Sequence, residues 1–150
     1  MSEQIEQAVA RSKELFASPL CCSESVLKAI AEARGVDSAL IPRLATGFCG
    51  GIGRTGGPCG ALTGAIMGLG LIAGRDTGEE PRGAFDATVQ ELIAGFEAAF
   101  GAINCLDLTG CSLLTDEGRA AFHAQNQHDR CADYVGEATR LALTLAQNNK

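Results

Sequence analysis

Seven cysteines, at positions 21, 22, 49, 59, 105, 111 and 131, are the residues of this chain best suited to chemistry. A thiolate is both a nucleophile and a soft metal ligand, so clustered cysteines point to metal, cluster or redox chemistry. Cys59 stands out, because it sits in Pro58-Cys59-Gly60-Ala61-Leu62-Thr63-Gly64, directly after a glycine-rich stretch. The spacing argues against two common alternatives. No C-x-x-C occurs, and both structural zinc sites and thioredoxin-type redox sites use such short pairs. The closest pairs are Cys21-Cys22, Cys105-x5-Cys111 and Cys49-x9-Cys59.

The elements that must position these thiols read as helices. The chain has 150 residues, the usual size of one domain with a core of its own. Residues 3–17 place Ile5, Ala8, Val9, Leu15 and Phe16 at helical spacing, and Ser18-Pro19 ends the run. A second helix opens at Cys22-Ser23, carries Val26, Leu27 and Ile30, and closes at Gly35. A third segment runs from an Asp37 cap to about Thr46. The stretch from Gly47 to Gly57 reads as a loop of unusual backbone freedom. Pro58 to Gly74 then reads as a helix apolar on all sides, which belongs in the centre of a core rather than across a membrane. Its Gly60, Gly64 and Gly68 form a stripe that suits a close contact, either inside the fold or in a homodimer. Further helices are expected over about 82–101, from Thr115 to about Gln127, and over about 129–147, with a loop at 104–111. No segment alternates convincingly as a strand. The expected fold is therefore all-α: one compact domain, residues 1–150, of six to seven helices around a buried glycine-rich helix.

On this layout Cys22, Cys59 and Cys131 fall at or within the first turn of a helix. Cys49, Cys105 and Cys111 fall in loops. A helix N-terminus carries free N–H groups and partial positive charge, which favour thiolate. Cys59 is therefore expected to be a thiolate at N1–N2, and Cys21 the least involved of the seven. Arg54 could steady an anionic thiolate. His123 and His128, near a helix end, read as solvated or capping residues. The net charge of −6, scattered basic residues and absence of Trp exclude a nucleic-acid surface. The start, Met1-Ser2-Glu3-Gln4, lacks the basic and apolar regions of a signal peptide, so a reducing cytoplasmic setting is expected.

These residues resemble the C_GCAxxG_C_C family of redox-active proteins. The motif is Cys59-Gly60-Ala61-Leu62-Thr63-Gly64. Cys22-Ser23-Glu24-Ser25-Val26-Leu27 is similar to the family's first cysteine segment, followed by a glycine-rich stretch like Gly47 to Gly57. Asn104-Cys105-Leu106-Asp107-Leu108-Thr109-Gly110-Cys111 is similar to its third, and Cys131-Ala132-Asp133-Tyr134-Val135 to its last. The resemblance covers roughly residues 10–145 and implies a redox role for Cys22, Cys59, Cys105 and Cys131, with Cys111 as a fifth member. Cys49 and Cys21 are additions to the pattern.

Three functions follow as expectations. The first is an iron–sulfur cluster held by Cys22, Cys59, Cys105 and Cys131, with Cys111 and Cys49 as further candidate ligands. It would serve electron transfer or redox sensing with a redox partner protein. The second is a dithiol/disulfide couple with no cofactor, in which Cys59 is the low-pKa attacking thiol and Cys105 or Cys22 resolves. The third is a helical interaction module whose cysteines only pack.

Overall fold

The periodic apolar stripe of the first fifteen-residue run becomes α1 (Ser2–Phe16), with Ala8, Val9, Leu15 and Phe16 buried. The computed structural model describes residues 2–149 of the chain, so Met1 and Lys150 lie outside it. Six more α-helices follow: α2 (Cys22–Ala33), α3 (Gly60–Ala73), α4 (Gly83–Phe100), α5 (Cys105–Thr109), α6 (Asp116–Ala124) and α7 (Gln127–Asn148). A 3-10 helix spans Arg43–Phe48. No strand occurs among the described residues, and no helix there is long and apolar enough to cross a membrane.

Helix α3 is the centre. It packs against α2, α4, α7 and the 3-10 helix, and Ala61, Leu62, Ala65 and Leu69 are all at most 1% exposed. Its glycine stripe faces α2. A Cβ on Gly64 would lie 2.6 Å from the Ser23 carbonyl oxygen, and one on Gly68 would meet Ile30. The stripe is thus an internal helix contact, the first of the two uses open to it. Helix α4 buries Leu92 and Phe96 and lays Phe85, Val89, Ile93 and Phe100 on the core. Phe96, Phe100 and Tyr134 form an edge-to-face cluster, with centroids 5.0 Å and 4.7 Å apart, that joins α4 to α7.

Three expected elements differ. The segment from Asp37 makes turns and then a 3-10 helix instead of an α-helix to Thr46. Pro42 has no N–H to give and disfavours helix in the residue before it. The loop expected at 104–111 contains α5, because Asn104 supplies an extended N-cap and Gly110 a left-handed stop at φ 69°. Helix α7 begins at Gln127 instead of Asp129, which puts Cys131 in its second turn rather than its first.

Candidate functional site

Five chain segments deliver sulfur to one cavity of about 220 Å³, four of them carrying free thiols. Cys22 is the first residue of α2, Cys59 the N-cap of α3, Cys105 the first residue of α5, and Cys131 lies on α7. All four line the cavity, together with Cys21 and Cys49. Around them stand Phe16, Phe122, Tyr134 and Leu108, with Arg54 and His128.

The backbone explains how such distant residues meet. Pro58 and Asn104 form an isolated antiparallel bridge. Within it the Cys59 N–H donates to the Ile103 carbonyl at 2.7 Å, and the Cys105 N–H donates to the Gly57 carbonyl at 2.7 Å. Two cysteines 46 positions apart in sequence are thereby clamped side by side. Tyr134 donates to the Leu108 carbonyl at 3.4 Å, which ties the Cys131 helix to α5.

The glycine-rich loop closes over this assembly as a left-handed turn. Gly50, Gly51, Ile52, Gly53 and Arg54 all have φ between 60° and 75°. L-residues lose about 1–2 kcal/mol each in this conformation, so a glycine-rich sequence is what makes it affordable. Gly51 is also sterically required, since a Cβ there would lie 2.8 Å from the Cys105 Cβ. Ile52 is β-branched, and its φ of 65° is a true outlier. Backbone strain of this sort concentrates at functional sites.

Backbone N–H groups lie near the sulfurs and favour negative charge there. Those of Gly50, Ser23 and Ala61 favour a thiolate at Cys22, and those of Ala61 and Leu62 favour one at Cys59. This is the helix-terminus effect expected from sequence, but burial outweighs it. Cys59 is 6% exposed, and loss of water, followed by repulsion from Cys22, pushes its thiol well above the ordinary range. Burial raises the Cys22 thiol too. Burial and the nearby Cys22 push Cys105 up to about 11 and Cys131 up to about 12. The expectation that Cys59 is a low-pKa thiolate in the metal-free protein is therefore corrected: its dry, thiol-crowded surroundings hold it protonated.

A pH dependence follows. Below about pH 7.5 the four thiols are protonated in both folded and unfolded chains and contribute no slope. Above that the unfolded thiols, with an ordinary pKa of about 8.5 to 9, release protons that the folded protein retains, so stability falls as pH rises toward 11–12. Urea midpoints of reduced, chelator-treated protein are expected to be flat from pH 6 to 7.5 and to decline by pH 10.5. A flat profile throughout would contradict the burial of these groups.

The remaining cysteines depart from expectation. Cys111, anticipated as a fifth ligand, does not line the cavity. It is buried, and its thiol donates to the Thr109 carbonyl at 3.3 Å. Cys49, also anticipated as a ligand, is bonded to Cys21 across a Cα–Cα distance of 5.9 Å and in that state has no thiolate to offer. Cys21, expected to be the bystander, is therefore half of a disulfide in the cavity wall. Its adjacency to Cys22 was a signal for this, but the partner 28 residues away was not readable. Arg54 lines the cavity as its proximity to Cys59 suggested. His128 also lines it, and its ring stacks on Phe16 at 4.1 Å; its exposure fits a solvated residue.

The sulfur spacing bears on what the site holds. Around one tetrahedral zinc, with Zn–S bonds of about 2.3 Å, the sulfurs stand about 3.8 Å apart. Among the described residues, the only group of three or more candidate ligand atoms within 4.8 Å of one another is Cys21, Glu24 and Cys49. No three of the Cys22, Cys59, Cys105 and Cys131 sulfurs therefore lie mutually within 4.8 Å, as ligands of a single ion would.

Comparison with known proteins agrees with this picture. Residues 20–145 match the family model described as "Putative redox-active protein (C_GCAxxG_C_C)". A protein of Archaeoglobus fulgidus, described as "Uncharacterized protein", is 29% identical over 99% of this chain and 99% of its own length. No solved structure matches the chain.

Proposed function

Because the chain belongs to the C_GCAxxG_C_C family of redox-active proteins, we propose that it holds an iron–sulfur cluster on Cys22, Cys59, Cys105 and Cys131, for electron transfer or redox sensing. The observation that carries the reading is the convergence of those four thiols, from four separate elements, on one cavity. Four thiols is the usual ligand number of a cluster. Four thiolates gathered around one cavity would repel one another, so a cation is what would make them thiolates here; metal binding then releases their protons. The spacing, wider than one zinc ion requires, suits a polynuclear centre with several metal atoms between the sulfurs. Such a cluster supplies one-electron transfer.

The chain's own groups have distinct parts in this reading. The N–H groups of Gly50, Ser23, Ala61 and Leu62 would donate to ligand sulfur and stabilise its negative charge, which raises the reduction potential. Phe16, Phe122 and Tyr134 would limit water at the sulfurs. Arg54, at the cavity, would offset negative charge there. The redox partner would be a protein, and the setting a reducing one such as the cytoplasm. The metal-free alternative built on Cys59 is weaker, because that thiol is buried and protonated.

The test is anaerobic purification followed by an ultraviolet–visible spectrum with iron and acid-labile sulfide analysis. A brown protein with both elements bound is expected. Colourless protein without iron after anaerobic reconstitution would sink the reading.

A further inference from the structure

The Cys21–Cys49 bridge lies outside the four-thiol set, and its surroundings are those of a working couple. Both residues are only partly buried and both line the cavity. Cys21 is the N-cap of α2 and Cys49 follows the 3-10 helix, so the bond joins two elements already held together without it. Glu24 alone spans them: its carboxylate accepts from the Cys21 N–H at 2.9 Å and from the Thr46 hydroxyl at 2.7 Å. The Ser23 hydroxyl adds a second tie between the two elements, donating to the Ala45 carbonyl at 2.7 Å. Opening the bridge would therefore leave its two ends in place.

Ser23 carries the argument further. Its side chain is fully buried, and its oxygen lies 3.4 Å from the Cys21 sulfur and 3.3 Å from the Cys49 sulfur. A hydroxyl has one proton to donate and two lone pairs that accept. The proton is used on Ala45. The two lone pairs then face two sulfurs. A disulfide has no S–H to offer them, whereas two thiols have one each. The buried serine thus has S–H donors for both lone pairs only when the bridge is reduced and its two sulfurs have moved from bonding distance to van der Waals contact.

We propose that Cys21 and Cys49 form a second redox centre, a reversible two-electron dithiol/disulfide couple that exchanges with an external dithiol and is separate from the four-thiol site. In the reductive direction a thiolate of the dithiol attacks one sulfur of the bridge, forming a mixed disulfide. The other bridge sulfur leaves as thiolate and takes up a proton. The second thiol of the reductant then attacks its own sulfur in the mixed disulfide and releases the remaining cysteine, which is protonated in turn. The dithiol becomes a disulfide, the bridge becomes two thiols, and two electrons and two protons have passed between them.

The test is a redox titration of the full-length folded protein in graded mixtures of reduced and oxidised dithiothreitol. Trapping by alkylation and peptide mass spectrometry report each cysteine, and circular dichroism confirms that the fold persists. Cys21 and Cys49 are expected to convert together and reversibly. A reduced protein bearing a C-x-x-C pair, used as a second reductant, shows whether a protein dithiol reaches the bridge or only a small one. In Ser23→Ala the equilibrium is expected to move about fivefold toward the disulfide, the equivalent of one net hydrogen bond. In Cys49→Ser, Cys21 is expected to be alkylated in every mixture while iron loading is unchanged. The proposal is overturned if the bridge resists dithiothreitol until the chain unfolds, if both cysteines stay alkylatable under oxidising conditions, or if Cys21 pairs with Cys22 instead. Iron analysis keeps the two centres apart: colourless protein with a reversible bridge sinks the cluster alone, and brown protein with an inert bridge sinks the couple alone.

Discussion

Cys59→Ala is expected to reduce bound iron and sulfide to background after anaerobic reconstitution, while Cys111→Ala retains both at the wild-type level. The two residues make a fair comparison, because both thiols are buried, at 6% and 4% exposure. Their surroundings differ. Cys59 faces the cavity, and Cys22 and Cys131 are close enough to repel its charge. Cys111 does not line the cavity and donates to the Thr109 carbonyl, although it lies near enough to Cys105 to repel its charge. Removing one of four ligands leaves three thiols where a cluster takes four, provided reconstitution is run without dithiol so that Cys21 and Cys49, which also line the cavity, stay bonded. Cys22→Ala, Cys105→Ala and Cys131→Ala are expected to match Cys59→Ala in iron content. Equal loss in Cys111→Ala would move the ligand set toward α5 and contradict the assignment. Full iron retention in all four variants would mean that the metal sits elsewhere.

The distinction between Cys59 and Cys111 shows where sequence reasoning runs out. Helix positions were legible because they depend on local periodicity and caps: α4 buries Leu92 and Phe96 as the spacing required. The central place of α3 was legible from its unbroken apolar run, and the four converging cysteines from their resemblance to an ordered motif. The contact that pairs Cys59 with Cys105 was not, because an isolated bridge between Pro58 and Asn104 has no period to detect. Cys105 and Cys111 both fall in a segment that reads as a loop, yet Cys105 opens the short helix α5 and lines the cavity, whereas Cys111 lies beyond the end of that helix and does not. The thiol pKa values were misjudged for a related reason. The helix terminus at Cys59 is local and readable, whereas the burial that overrides it comes from residues spread along the whole chain. The Cys21–Cys49 bond required knowing where a left-handed turn begins, just after Cys49, and that turn is set by tertiary contacts such as Gly51 against Cys105.

Two glycines in one helix are expected to respond to alanine with opposite signs. In isolation, Gly→Ala inside a helix stabilises by about 1 kcal/mol, because glycine loses more backbone entropy on folding. Gly70 is free to show that gain: a Cβ there would meet nothing nearer than the Phe85 ring, at 4.0 Å. Gly70→Ala should raise Tm by about 2–4 °C. At Gly64 the same Cβ would lie 2.6 Å from the Ser23 carbonyl oxygen and 3.0 Å from its Cα. Those are backbone atoms and cannot swing aside, so α2 and α3 must separate. Overpacking of this kind costs about 1–3 kcal/mol, enough to exceed the propensity gain at its upper end, and Gly64→Ala should lower Tm by several degrees. The displacement also reaches the site. Ser23 is flanked by Cys22 and Glu24, and Gly60, one turn before Gly64, has no room for a Cβ beside the Cys22 sulfur. Iron loading of Gly64→Ala is therefore expected to fall even at temperatures where circular dichroism shows the protein fully folded, whereas Gly70→Ala loads normally. Thermal melts and iron analysis on the same preparations check both halves. If Gly64→Ala proved as stable as Gly70→Ala and bound as much iron, the glycine stripe would not be what sets the distance between the helices carrying Cys22 and Cys59.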